Sequence, residues 1–184
     1  MYFPVSLKVG GEPCLVVGGG RIALQKTRSL LRAGARVTVV SPELAAAFRR
    51  LRVERLPRRF RKADVAGRVL VIAATDVAAV NRSVFEACRR RGIPVNVVDV
   101  PELCSFIVPS VARRGPVTVA VSTGGLSPSL AKALRERLEG LLPASLGPLA
   151  RRLGARRRRL LRVMPPSAER SRRIAELLRK AELP

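Results

Sequence analysis

The sequence predicts an α/β protein built on a doubly wound parallel sheet, and three observations carry that reading. Strand-like and helix-like segments alternate over the first 100 residues. The strand-like runs are near-continuous Val, Ile and Leu, the pattern of strands buried on both faces. The first of them passes through Gly18-Gly19-Gly20 straight into a segment of helical spacing.

The elements follow in order. Cys14-Leu-Val-Val-Gly18 reads as the first strand. Ile22, Ala23, Thr27, Leu30 and Leu31 then mark a helix that Gly34 stops in the C′ position. Arg36-Val-Thr-Val-Val40 is a second buried strand. Ser41-Pro42-Glu43 reads as an N-cap with proline in the first turn, opening a helix from Glu43 to Arg50 ahead of a weak strand at 52–56. Arg68-Val-Leu-Val-Ile-Ala-Ala74 is the clearest strand, followed by a helix from Val77 to Arg91, which Asp76 is expected to cap. Pro94-Val-Asn-Val-Val-Asp99 is a further strand. Beyond it the pattern changes to an α+β segment. Ser105–Ser110 and Pro116–Val121 are strand-like and separated by Arg113-Arg114-Gly115-Pro116, which suggests an antiparallel extension. Ser127-Pro128 opens an amphipathic helix with Leu130, Leu134, Leu138 and Leu141 or Leu142 on one face. A hinge-like stretch at 143–148 leads to a helical region that Pro165-Pro166 splits in two. The expected organisation is a dinucleotide-binding domain at 1–110, a segment at 111–142 and a basic helical C-terminal domain at 143–184.

Composition narrows the chemistry. The chain has 36 Lys and Arg against 13 Asp and Glu, and the last 41 residues alone carry 12 basic and 3 acidic side chains. Such an excess either reflects an arginine-rich composition or draws polyanions: nucleic acid, anionic lipid or a densely acidic small molecule. The absence of histidine removes His-based triads, His metal ligation and imidazole proton shuttling. Three cysteines, Cys14, Cys88 and Cys104, at wide spacings point to reduced thiols with packing roles, and no metal site is expected. No apolar run is long enough for a membrane span and no secretion signal is read at the N-terminus, so a cytoplasmic protein without a membrane partner is expected.

Gly18-x-Gly20-x-x-Ala23 between a strand and a helix is the dinucleotide fingerprint in its proper setting, and makes the expected sheet Rossmann-like. The first glycine allows the turn, the second lets backbone approach a pyrophosphate, and Ala23 lets the helix pack close. Free N–H groups of Arg21, Ile22 and Ala23 at the helix start would hold the anion. A plain strand-to-helix turn is the alternative. The acid that usually ends the second strand is missing. Ser41, Pro42 and Glu43 stand there instead, which leaves both NAD and NADP open as cofactor. Thr75 and Asp76, at the end of the fourth strand, complete the candidate nucleotide site.

Five ordered blocks carry a family resemblance: Gly18-Gly-Gly-Arg-Ile-Ala23 with Lys26, Ala73-Ala-Thr-Asp76 with Asn81, Asn96-Val-Val-Asp99, Ser105-Phe-Ile-Val-Pro-Ser110 and Val121-Ser-Thr-Gly-Gly-Leu-Ser-Pro128. Residues 1–142 resemble the precorrin-2 dehydrogenase family, including the bifunctional dehydrogenase–ferrochelatases of siroheme synthesis. The resemblance implies NAD-dependent oxidation of precorrin-2 to sirohydrochlorin. It implies iron insertion in some members, with Fe²⁺ as a substrate, and a homodimer in which 111–142 is the dimerisation segment. It also marks Asp99 as the functional carboxylate. A serine phosphorylated in some members is Thr123 here.

The residues read alone agree that Asp99, at the carboxyl end of a parallel strand, is the one credible base, with a turn cap before Pro101 as its alternative. Arg113 and Arg114 are candidates for the substrate's carboxylates. Ser122-Thr123-Gly124-Gly125 could bind them through backbone N–H groups or serve only as a capped helix start. A second reading is a nucleotide-sensing regulator that grips nucleic acid with its basic tail. Against it, the tail holds no helix-turn-helix or RNA-binding signature, so nucleic acid is not the expected partner.

Overall fold

The computed structural model describes residues 2–179 and 181, which fall into two compact units divided between Val108 and Pro109. The last positions of the predicted C-terminal region, 180 and 182–184, lie outside the described residues.

The first unit is a five-stranded sheet of β1 (Pro13–Val17), β2 (Arg36–Val40), β3 (Glu54–Leu56), β4 (Leu70–Ala73) and β5 (Val95–Val97). The order is β3-β2-β1-β4-β5 and every pair is parallel. Side chains alternate between faces along each strand. Cys14 and Val16 of β1 join Val37, Val39, Ile72, Ala23 and Leu30 in one buried cluster. Leu15 and Val17 join Val71, Val95, Val84 and Ala87 in the other. Helix α1 (Arg21–Arg32) supplies Ala23 and Leu30 to the first cluster, and α2 (Ala78–Arg89) supplies Val84 and Ala87 to the second. The predicted doubly wound core is thus present. Gly34 follows the end of α1 with φ +82°, as a C′ glycine should.

Three local expectations are corrected. The helix predicted from Glu43 is a short 3₁₀ turn at Ala46–Arg50, and Ser41-Pro42 caps nothing. The Ala45 N–H instead donates to the Gly19 carbonyl (2.9 Å), which holds residues 41–45 against the glycine loop. The strand predicted at Ser105–Ser110 is irregular up to Pro109. Its polar groups go to β5: the Ser105 N–H donates to the Val95 carbonyl (2.9 Å) and Asn96 Nδ2 to the Phe106 carbonyl (3.0 Å). Asp76 does not cap α2. The N-cap is Val77, whose N–H donates to Thr75 Oγ1 (3.2 Å).

The second unit holds a separate antiparallel hairpin of β6 (Ser110–Arg114) and β7 (Val117–Val121), then α3 (Pro128–Gly140), α4 (Leu146–Val163) and α5 (Ala168–Arg179). The hairpin is its own two-stranded sheet rather than an extension of the first. Ser127 caps α3 as predicted, its Oγ accepting from the Leu130 N–H (3.3 Å). The expected hinge at 143–148 is shorter: Gly147 and Pro148 lie in the first turn of α4. Helix α3 buries Ala131, whereas Leu126, Leu130, Leu134, Leu138 and Leu141 are exposed.

Candidate nucleotide site and its carboxylate

The carboxyl ends of β1, β2 and β4 meet at the glycine loop. The Gly18 N–H donates to the Val40 carbonyl (2.9 Å) and the Ala74 N–H to the Val17 carbonyl (2.8 Å), so three strand ends are tied together. Gly18 has φ +125°, and a Cβ there would lie 2.2 Å from the Ala74 carbonyl oxygen. A Cβ at Gly19 would lie 1.8 Å from the Glu43 carbonyl oxygen and 2.8 Å from Ser41 Oγ. Neither position can carry a side chain unless the strand ends separate.

Gly20 differs. A Cβ there meets nothing within 4 Å, so this side of the loop is open. Gly20 is the N-cap of α1 without a side-chain cap, and the first turn holds no acidic residue. Among the described residues no acceptor meets the N–H groups of Arg21, Ile22 and Ala23. Three unpaired donors at the positive end of a helix, beside backbone with no side chain in the way, fit a pyrophosphate.

The other predicted nucleotide residues divide by what they already do. Ser41 faces Gly19, while Pro42, Glu43 and Arg21 are exposed. Thr75 is engaged by buried Asn81: its hydroxyl donates to Asn81 Oδ1 (3.0 Å), and Asn81 Nδ2 donates to the Thr75 carbonyl (2.9 Å). Asn81 thereby fixes the β4–α2 turn and leaves Asp76 exposed at its tip.

Asp99 sits in the turn after β5, exposed, with φ +61°, the one non-glycine residue with positive φ among those described. Asp is one of the few side chains that tolerate this conformation. The carboxylate is near enough to act on Lys26, half-buried on α1. Burial pushes the Lys26 ammonium below the usual lysine range, and the charges of Asp99 and Cys104 pull the other way. Lys26 belongs to the first motif block, but nothing in the sequence shows that α1 brings it to the β5 turn. Cys104 packs where expected: burial raises its thiol, its sulfur accepts from the Val97 N–H (3.2 Å), and it lies within reach of Lys26.

The predicted substrate residues lie in the second unit. Arg113 is exposed. Arg114 is a strut, its Nε donating to the Leu142 carbonyl (2.9 Å) and its Nη1 to Glu139 Oε1 (3.3 Å) at the end of α3. In the 122–125 turn the Ser122 hydroxyl accepts from the Gly124 N–H (3.1 Å). The Thr123 hydroxyl accepts from the Ser127 N–H and donates to the Ser127 carbonyl (both 3.0 Å). Gly124 and Gly125 take φ +66° and +89°. The capped helix start is therefore realised. Among the described residues there is no cluster of three or more Cys, Asp or Glu that could hold a metal.

Residues 5–110 match the family model described as "Putative NAD(P)-binding". The chain belongs to this family. Residues 114–141 match a second model, "Sirohaem biosynthesis protein central". Among curated relatives, the siroheme synthase of Thioalkalivibrio sulfidiphilus is 58% identical over 153 residues, 81% of this chain and 31% of its own length. Siroheme synthase 2 of Aeromonas hydrophila is 48% identical over 173 residues, 93% of this chain and 37% of its own. The chain thus spans about a third of the length of these relatives. A solved structure named "SirC, precorrin-2 dehydrogenase" superposes with a TM-score of 0.77 at 25% identity, covering 96% of this chain and 89% of that one. The resemblance seen in the motif blocks holds in all three comparisons, and the NAD(P)-binding unit of this family member is the sheet whose glycine loop carries the free N–H groups.

Proposed function

We propose that the chain oxidises precorrin-2 to sirohydrochlorin in siroheme biosynthesis, with NAD as cofactor and Asp99 as the base. The observation that carries this reading is the open, unpaired N-terminus of α1 at Gly20, in the same unit as the exposed Asp99 carboxylate. The likeness to a protein named precorrin-2 dehydrogenase supports it. Bound through its pyrophosphate at Arg21, Ile22 and Ala23, the nicotinamide cofactor would supply the hydride acceptor. The macrocycle loses a hydride and a proton, and Asp99 takes up the proton.

Fe²⁺ enters this reading only as the substrate of a later metal insertion, a step that would fall to the same carboxylate as it accepts pyrrole protons. The exposed leucines of α3 support a homodimer closed over that helix. Among the described residues no helix is long and apolar enough to cross a membrane, and the reaction is assigned to the cytoplasm.

The test is anaerobic incubation of the purified chain with precorrin-2 and either NAD⁺ or NADP⁺, following reduced nicotinamide and sirohydrochlorin by absorbance. Wild type should turn over with NAD⁺. Asp99→Asn should lose about 100-fold or more in rate while binding the nucleotide as well as wild type. No oxidation by wild type, or full activity in Asp99→Asn, overturns the reading. Sirohydrochlorin with Fe²⁺, compared with the uncatalysed rate, decides metal insertion separately.

A further inference from the structure

Helix α4 carries a one-signed charge distribution. Its 18 residues hold seven arginines and no carboxylate. Leu149 is buried and Leu146, Leu153 and Leu160 are partly buried, while all seven arginines are exposed. At about 100° per residue, Arg151, Arg152, Arg156, Arg158, Arg159 and Arg162 cover one face about 160° wide and about 16 Å long. None of them is ion-paired among the described residues. A general arginine surplus would not produce this contrast. In the neighbouring α3, Arg135 is paired with Glu136 and Glu139, and on α5 Arg173 is paired with Glu169.

We propose that, against the expectation drawn from the lack of a base-reading motif, this face of α4 docks the phosphate backbone of double-stranded nucleic acid without regard to base sequence, which needs no such motif. The occupant follows from shape and charge. Unpaired guanidiniums at this density call for an extended polyanion, and Arg suits phosphate through its fork of donors. A convex helix surface is not the concavity that a small acidic ligand needs. The apolar side of α4 is packed within its unit, so it offers a bilayer little to insert. The chain has one Tyr and no Trp, too few rings to stack single strands. The inference is independent of the dehydrogenase reading.

The test uses the full chain and fluorescence anisotropy with a 20-base-pair duplex of arbitrary sequence, across a salt series. Six neutralised phosphates give log Kobs against log salt a slope of about −5, a loss of about a thousandfold between 50 and 200 mM. Replacing the six α4 arginines by Gln should flatten the slope to near zero and cost at least 30-fold in affinity at low salt. Replacing them by Lys should keep most of the binding. The control neutralises six exposed first-unit cations, Arg49, Arg50, Arg52, Arg59, Lys62 and Arg89, and should shift affinity less than threefold. An equal loss in the control, or retained binding in the α4 Gln variant, overturns the proposal. So does tighter binding of wild type to vesicles of 30% anionic lipid than to duplex at the same salt.

Discussion

Replacing Gly19 by Ala puts a methyl group 1.8 Å from the Glu43 carbonyl oxygen and 2.9 Å from its carbon. Neither is the end of a flexible side chain, so the 41–45 backbone must retreat by more than an ångström. The retreat breaks the bond from the Ala45 N–H to the Gly19 carbonyl, worth about 1 kcal/mol. Forced repacking adds about 1–3 kcal/mol, for a total of about 2–4 kcal/mol. For a chain of this size that lowers Tm by about 4–16 °C. Gly20→Ala is the matched comparison. Its methyl meets nothing within 4 Å, and φ −84°, ψ −169° is ordinary extended backbone that alanine adopts freely. Gly20→Ala should therefore keep Tm within about 2 °C and lose at least tenfold in NAD affinity, because the new methyl fills the space next to the free N–H groups. Thermal denaturation and a nucleotide titration on both variants separate the two effects. An unchanged Tm in Gly19→Ala would refute the close approach, and normal NAD affinity in Gly20→Ala would refute the pyrophosphate seat.

Other expectations follow from single residues. The Asp64 carboxylate is held below its usual range mainly by the Arg58 guanidinium, at 2.7 and 2.9 Å, against its burial. Its folded pKa is below the unfolded value of about 4. The pair therefore stabilises the fold above that value and is lost as pH falls through the folded pKa. Arg58→Gln should lose less Tm than wild type in an acid titration below about pH 4, and parallel curves would disprove the pairing. Cys14 and Cys88 are fully buried, and burial pushes the Cys88 thiol up to about 11. Burial raises the Cys14 and Cys104 thiols too, so a thiol reagent at neutral pH should label none of the three cysteines of native protein quickly and all three after unfolding; a fast thiol in native protein would contradict the packing. Leu134→Glu, on the exposed face of α3, should reduce a dimer of the 20.0 kDa chain to monomer in light scattering, and a monomeric wild type would dispose of the dimer.

Much of this architecture was legible in the residue pattern. Strand runs such as Arg36–Val40 and Leu70–Ala73, buried on both faces, announce a parallel sheet, and Gly18-x-Gly20-x-x-Ala23 announces the loop. These signals are local, because burial period and backbone freedom belong to consecutive residues. The Ser41–Arg50 segment shows where local signals stop. Its cap chemistry favours a helix, but one backbone bond to Gly19 and a carbonyl wedged against that glycine hold its first half off the helical path and leave only a 3₁₀ turn at Ala46–Arg50. Likewise the leucines of α3 read as one apolar face, but the pattern does not say what covers it; in the fold α3 buries Ala131 while Leu130, Leu134 and Leu138 stay exposed.

The order of residues alone settled which segments become buried strands, where the anion loop falls, and that a carboxylate closes the fifth strand. Only the folded chain decided what that carboxylate meets. Lys26 feels the charge of Asp99 because parallel strands and their crossover helix return distant residues to one end of the sheet. Asp99 holds a left-handed backbone there because the turn after β5 must reverse at once. Both follow from the path of the chain in space, to which a pattern of neighbours in sequence is blind.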